Sequence, residues 1–196
     1  MLRVFLGFFL ASLLWGFAFK GPLNFWIGIF FAGLGILIFG ISDERTRKII
    51  RPRREDIPVG ILSGILIYSL FFSLALFVKA FLPKFYISVE EIKALKNLAP
   101  FYISFPVALM VSLGEEVFWR GFIQRNLMEN FGKLFGYILS VILYSLAHVF
   151  TFNLSLVVAA IGAGAFWGFI FIWKRDLTPL IISHVTWDIL LFTFGM

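Results

Sequence analysis

The chain has 196 residues, 61% of them hydrophobic and 14% charged, with a formal net charge of +6. An apolar share so far above the roughly 45–50% of ordinary soluble domains excludes that class, and the basic residues cluster between apolar runs, which excludes a nucleic-acid module and fits membrane topology. The lack of cysteine removes disulfides, thiolate nucleophiles and thiolate metal ligands, so any chemistry must use oxygen and nitrogen groups.

A chain of this length is ordinarily one domain, and apolar runs of about 20 residues each cross a bilayer core of about 30 Å. The expected fold is all-α, a polytopic transmembrane bundle of about seven spans, with six to eight allowed, forming one integral membrane domain over residues 1–196. The first span, Leu2–Phe19, carries Arg3 like a signal peptide but lacks a small-residue cleavage pattern, so it is read as retained. Pro22–Ile41 follows. SDERTRKIIRPRREDIP, residues 42–58, mixes six basic with four acidic residues and reads as solvated cytoplasmic chain near the headgroups. Val59–Val78 opens with GILSG, a small-residue face suited to close packing, and VEEIKALKN, residues 89–97, reads as a short surface helix. The fourth span starts at Leu98 and ends near NFGK, where Gly132 is the expected terminator. Leu134–Phe150, Leu154–Trp173 and Pro179–Phe194 complete the set, the sixth with Ala160, Gly164 and Gly168 on one face. No internal repeat suggests an inverted-repeat transporter.

Seven spans put Arg3, Arg45, Arg47, Lys48, Arg51, Arg53, Arg54, Arg125, Lys133, Lys174 and Arg175 on one side of the membrane. The other side receives Lys20, Lys79, Lys84, Lys93 and Lys96. The positive-inside rule then predicts a multi-pass protein of the cell membrane with its N-terminus in the cytoplasm.

Asp43, Glu44, Glu55, Asp56, Glu90, Glu91, Glu129 and Asp176 fall at loops or helix ends. Glu115, Glu116 and Asp188 fall in apolar sequence, as do both histidines, His148 and His184, and Arg120. Each charge at mid-membrane costs roughly 2.5–3.5 kcal/mol, so such a set is a functional-site hypothesis by default. Glu116 and Arg120 are four apart on one helical face in the favourable order. Glu115 is turned about 100° from Glu116, which leaves it free to face another helix. Glu115 lies 17 residues before Gly132 and His148 lies 16 after it, so an antiparallel hairpin sets them at matching depth. His184 and Asp188, again four apart, would complete the cluster from the last span.

GEEVFWRGF resembles the EExxxR motif of the CPBP family, which comprises CAAX prenyl proteases and bacteriocin-processing (Abi) proteins. YSLAH, residues 144–148, is similar to the family's FxxxH motif with Tyr144 for phenylalanine, and HVTWD, residues 184–188, meets its third, histidine followed four residues on by Asn or Asp. The likeness covers residues 98–196, a CPBP-like catalytic core, while residues 1–97 supply N-terminal spans and loops of compatible topology.

The resemblance implies an intramembrane endopeptidase acting on a membrane-associated peptide or protein that arrives from the bilayer or the cytoplasmic side. Glu115 and His148 would activate water, Glu116 and Arg120 would support them, and His184 and Asp188 would line the oxyanion site. An ionised Asp188 would repel an oxyanion, so it must be protonated or must orient His184 instead. His148 and His184 with Glu115 or Asp188 also match the ligand set of a catalytic zinc. The cofactor expectation is therefore a divalent metal such as zinc or none. The expected partners are the substrate and the lipid bilayer, without nucleic acid. A non-catalytic bacteriocin-immunity or membrane binding protein, or a transporter, would use the same buried groups without hydrolysis.

Overall fold

A computed structural model describes residues 1–195, apart from the side chain of Lys96; Met196 lies outside the described residues. The elements are α1 (Leu2–Lys20), α2 (Phe25–Ile41), α3 (Glu44–Lys48), a 3-10 turn (Arg54–Asp56), α4 (Ile57–Phe81), α5 (Pro83–Lys96), α6 (Phe101–Glu115), a π-helical segment (Glu116–Gln124), α7 (Arg125–Phe131), α8 (Lys133–Val149), α9 (Leu154–Lys174) and α10 (Thr178–Phe194). No strand occurs among the described residues.

Four apolar helical stretches are long enough to cross a membrane: Leu2–Lys20, Arg54–Phe81, Phe101–Phe131 and Leu154–Lys174. The three others expected to span, Phe25–Ile41, Lys133–Val149 and Thr178–Phe194, are shorter apolar helices of 17 residues each. The surface helix expected at residues 89–97 is α5, which begins earlier because Pro83 sits in its first turn, where a missing N–H costs nothing.

Side-chain caps start several elements. Asn24 accepts from the Trp26 N–H at 2.9 Å to open α2, and Asn153 accepts from Leu156 at 3.0 Å to open α9. Gly132 separates α7 from α8 with φ 85°, a conformation that L side chains avoid, which is the physical basis of the expected hairpin turn. The expected small-residue faces are packed. A Cβ on Gly64 of α4 would stand 2.6 Å from the Ser183 carbonyl oxygen, so only glycine lets α10 come this close. Gly164 and Gly168 of α9 similarly lie against the rings of Tyr144 and Tyr137 on α8.

Residues 42–58 are mostly exposed, as a solvated connection should be, but caps and ion pairs order them. Asp43 caps α3 through the Thr46 N–H at 2.9 Å, and the buried Thr46 hydroxyl donates to the Gly121 carbonyl at 3.1 Å. Arg125 pairs with Asp43 at 2.6 Å and with Glu129 at 3.0 Å, while Arg45 also reaches Glu129 at 2.9 Å. Lys174 pairs with Asp56 at 2.6 Å and Arg53 with Asp176 at 3.1 Å, both carboxylates being buried. Charges that read as loop residues thus fasten one end of the bundle, because each acid has a cation from another connection beside it. Burial alone would raise the Asp43 carboxyl. The Thr46 N–H and hydroxyl, with the Arg125 and Arg3 guanidiniums, outweigh burial and hold it below the ordinary carboxylate value.

Candidate active site

α6 does not run on as an α-helix through the EExxxR stretch. Residues 116–124 are π-helical, and the Arg125 N–H bonds back to the Arg120 carbonyl, five residues earlier. π-Helical insertions are rare and concentrate at functional sites. The wider turn buries all nine residues of the segment, including Glu116, Arg120 and Gln124.

Glu116 is completely buried, and its Oε1 accepts from Arg120 at 3.1 Å, as its spacing predicts. The same oxygen accepts from His184 Nδ1 at 2.8 Å, while Oε2 is a buried oxygen without a hydrogen-bond partner. Arg120 is held over the rings of Tyr144 and Trp167, 4.7 and 5.5 Å from their centroids, and donates to the Ala163 carbonyl at 3.4 Å.

Glu115 stands apart from this pair. Its Oε2 accepts from the Tyr144 hydroxyl at 3.1 Å. Its carboxylate lies between two imidazoles, with Oε1 4.0 Å from His148 Nε2 and Oε2 3.9 Å from His184 Nε2. Such gaps are too long for direct hydrogen bonds and short enough for one bridging water.

His148 Nδ1 lies 2.8 Å from the Tyr144 carbonyl, which can only accept, so Nδ1 carries the proton. Nε2 of the neutral ring then has one lone pair, and the buried Trp15 indole N–H of α1 donates to it at 3.1 Å. His184 likewise carries its proton on Nδ1, facing Glu116, and its ring stacks on Trp167 with centroids 3.9 Å apart. A neutral His184 therefore turns a lone pair toward Glu115, and only the imidazolium can donate from Nε2.

Asp188 does not orient His184, which Glu116 holds instead. Asp188 Oδ2 is hydrogen-bonded to the Ser112 hydroxyl, whose oxygen also lies 2.9 Å from the Ala108 carbonyl. Ser112 has a single proton for two acceptors. With a proton on Asp188, Ser112 accepts from the acid and donates to the carbonyl, and both contacts are complete.

Glu115, Tyr144, His148, His184, Asp188 and Ser112 share the wall of one cavity of about 590 Å³. Among the described residues, no group of three His, Cys, Asp or Glu side chains is placed to hold a metal ion. In this arrangement Nε2 of His148, a nitrogen of the expected zinc set, accepts from the Trp15 indole N–H. Trp15, Ser112 and Trp167 are site neighbours that motif reading missed. Trp15 and His148 are separated by 133 residues, and nothing local in the sequence announces such a contact.

Fold and site together define a multi-pass membrane protein with buried carboxylates and imidazoles around one cavity. Residues 97–190 match the family described as Type II CAAX prenyl endopeptidase Rce1-like, and over that stretch the chain is similar to this protease family. The match takes in Glu115, Glu116, Arg120, Tyr144, His148, His184 and Asp188 and leaves Trp15 outside. No curated protein and no solved structure matches the chain.

Proposed function

We propose that the protein is a glutamate-dependent intramembrane endopeptidase of the CAAX-protease-like class. The observation that carries this reading is the division of labour between adjacent glutamates: Glu116 is committed to Arg120 and His184, while Glu115 keeps Oε1 for a water on the cavity wall.

In this mechanism Glu115 takes a proton from a water lying between it and His148, and the water oxygen attacks the scissile carbonyl carbon. The carbonyl electrons move onto its oxygen. His184, as an imidazolium whose charge is balanced by Glu116, donates to that oxyanion from Nε2. Collapse breaks the C–N bond, and Glu115 passes its proton to the leaving amine. Tyr144 steadies the carboxylate that does this work. His148 joins in binding water once the Trp15 indole turns away from Nε2. A protonated Asp188, bonded to Ser112, removes the negative charge that would oppose the oxyanion. No step calls on a metal.

Purified protein in liposomes, given a library of membrane-anchored peptides, is expected to hydrolyse a subset of them. The Glu115→Gln variant, folded to the same extent, is expected to be inactive. Equal hydrolysis by both would refute the mechanism, and peptide binding without hydrolysis would favour a binding or immunity role.

A further inference from the structure

The two ends of the bundle differ in charge and in closure. At one end Arg3, residues 42–58, Arg125 and residues 174–176 are drawn together by the pairs Arg3–Asp43, Arg125–Asp43, Lys174–Asp56 and Arg53–Asp176. The opposite end carries Lys20 and α5, where the Trp26 indole donates to the Leu95 carbonyl at 3.0 Å and Asn153 donates to Glu91 at 3.0 Å.

The cavity that holds Glu115 runs toward the second end. Its wall continues past Phe19 and Trp26 to Glu90, Lys93 and Asn97, and Glu90 and Asn97 are exposed to the exterior. Residues 42–58, 116–136 and 170–180 contribute nothing to that wall. A scissile bond can therefore approach Glu115 from the α5 end, while the arginine-rich end is closed by ion pairs.

The positive-inside rule distinguishes the same two ends. Arg and Lys at the closed end number eleven against five at the α5 end, a bias that places the closed end in the cytoplasm. We propose that the cavity opens on the non-cytoplasmic face of the membrane, so that the substrates are exported or membrane-anchored polypeptides presenting an apolar segment there. This rests on the endopeptidase reading and departs from the cytoplasmic side that the resemblance allowed beside the bilayer. The walls suit such a segment: Phe19, Phe25, Trp26 and Phe71 line the route, with the Glu90–Lys93 ion pair of 2.8 Å at its mouth.

The absence of cysteine makes the test direct. Asn97→Cys at the mouth and Arg51→Cys at the closed end each introduce a single thiol on an exposed position. Intact cells are treated with a membrane-impermeant maleimide before and after lysis, beside a cytosolic thiol protein as a leakage control. The expected result is labelling of Asn97→Cys in intact cells and of Arg51→Cys only after lysis. Labelling of Asn97→Cys that requires lysis, or of Arg51→Cys that does not, overturns the proposal. Neither result depends on hydrolysis, so failure of the sidedness leaves the Glu115→Gln activity test intact, and failure of that test leaves the labelling result intact.

Discussion

Two clusters of charge stand at different depths in this bundle, the first half-buried and the second fully buried. At the closed end, Asp43, Asp56 and Asp176 each meet a lysine or arginine within 3.1 Å. Around the cavity, Glu115 has histidines at 3.9 and 4.0 Å, Glu116 leaves one oxygen without a partner, and Asp188 is bonded to a serine. Burying a charge is tolerable when its partners are complete. The first cluster therefore reads as a fastening, and the second as a site held short of completion so that water and substrate can finish it.

The strongest way to break this comparison is at Glu115. Glu115→Gln is expected to lower peptide hydrolysis by about 10²- to 10⁴-fold, the usual worth of a positioned general base, with the unfolding transition in detergent nearly unchanged; His148→Ala follows with a smaller loss. Arg120→Met removes the partner of a buried carboxylate and is expected to cost about 3–5 kcal/mol, read as a lowered unfolding midpoint. That outcome would separate Arg120, as support, from Glu115, as chemistry.

At the fastened end the effects are smaller and fall on stability. Asp43→Asn loses a charged cap on Thr46 and the Arg125 pair and is expected to cost about 1–2 kcal/mol, leaving kcat in place. Because the folded carboxyl is held below its ordinary value, its contribution is complete above the unfolded value of about 3.9 and disappears as pH falls through the folded one. The wild type should therefore lose part of its margin over Asp43→Asn in acid unfolding experiments. Smallest of all should be Asp188→Asn, which keeps a neutral group beside Ser112. Its kcat should change by less than about threefold, under ~0.7 kcal/mol of barrier; a large loss would show that Asp188 works as an anion.

Much of this comparison was legible in the sequence. The apolar segments follow from hydropathy, and i,i+4 spacing paired Glu116 with Arg120. Counting outward from Gly132 brought Glu115 to His148, which the structure sets 4.0 Å apart. The rest depended on contacts without local periodicity. The Trp15–His148 and Ser112–Asp188 bonds join residues 133 and 76 positions apart. Helical spacing does not announce a π-helical turn, which left the burial of all nine residues from Glu116 to Gln124 unseen. Counting charges likewise put residues 42–58 in solvent, where most of them are, but could not show that Asp56 faces Lys174.

The division between Glu115 and Glu116 is tested most directly by one paired measurement. Hydrolysis of a membrane-anchored peptide and thermal unfolding are followed on the same liposome preparations of wild type, Glu115→Gln and Glu116→Gln. The account predicts that Glu115→Gln is stable and inactive, whereas Glu116→Gln is destabilised by the loss of charge beside Arg120 and His184. An active Glu115→Gln, or a Glu116→Gln that is inactive at full stability, would contradict it.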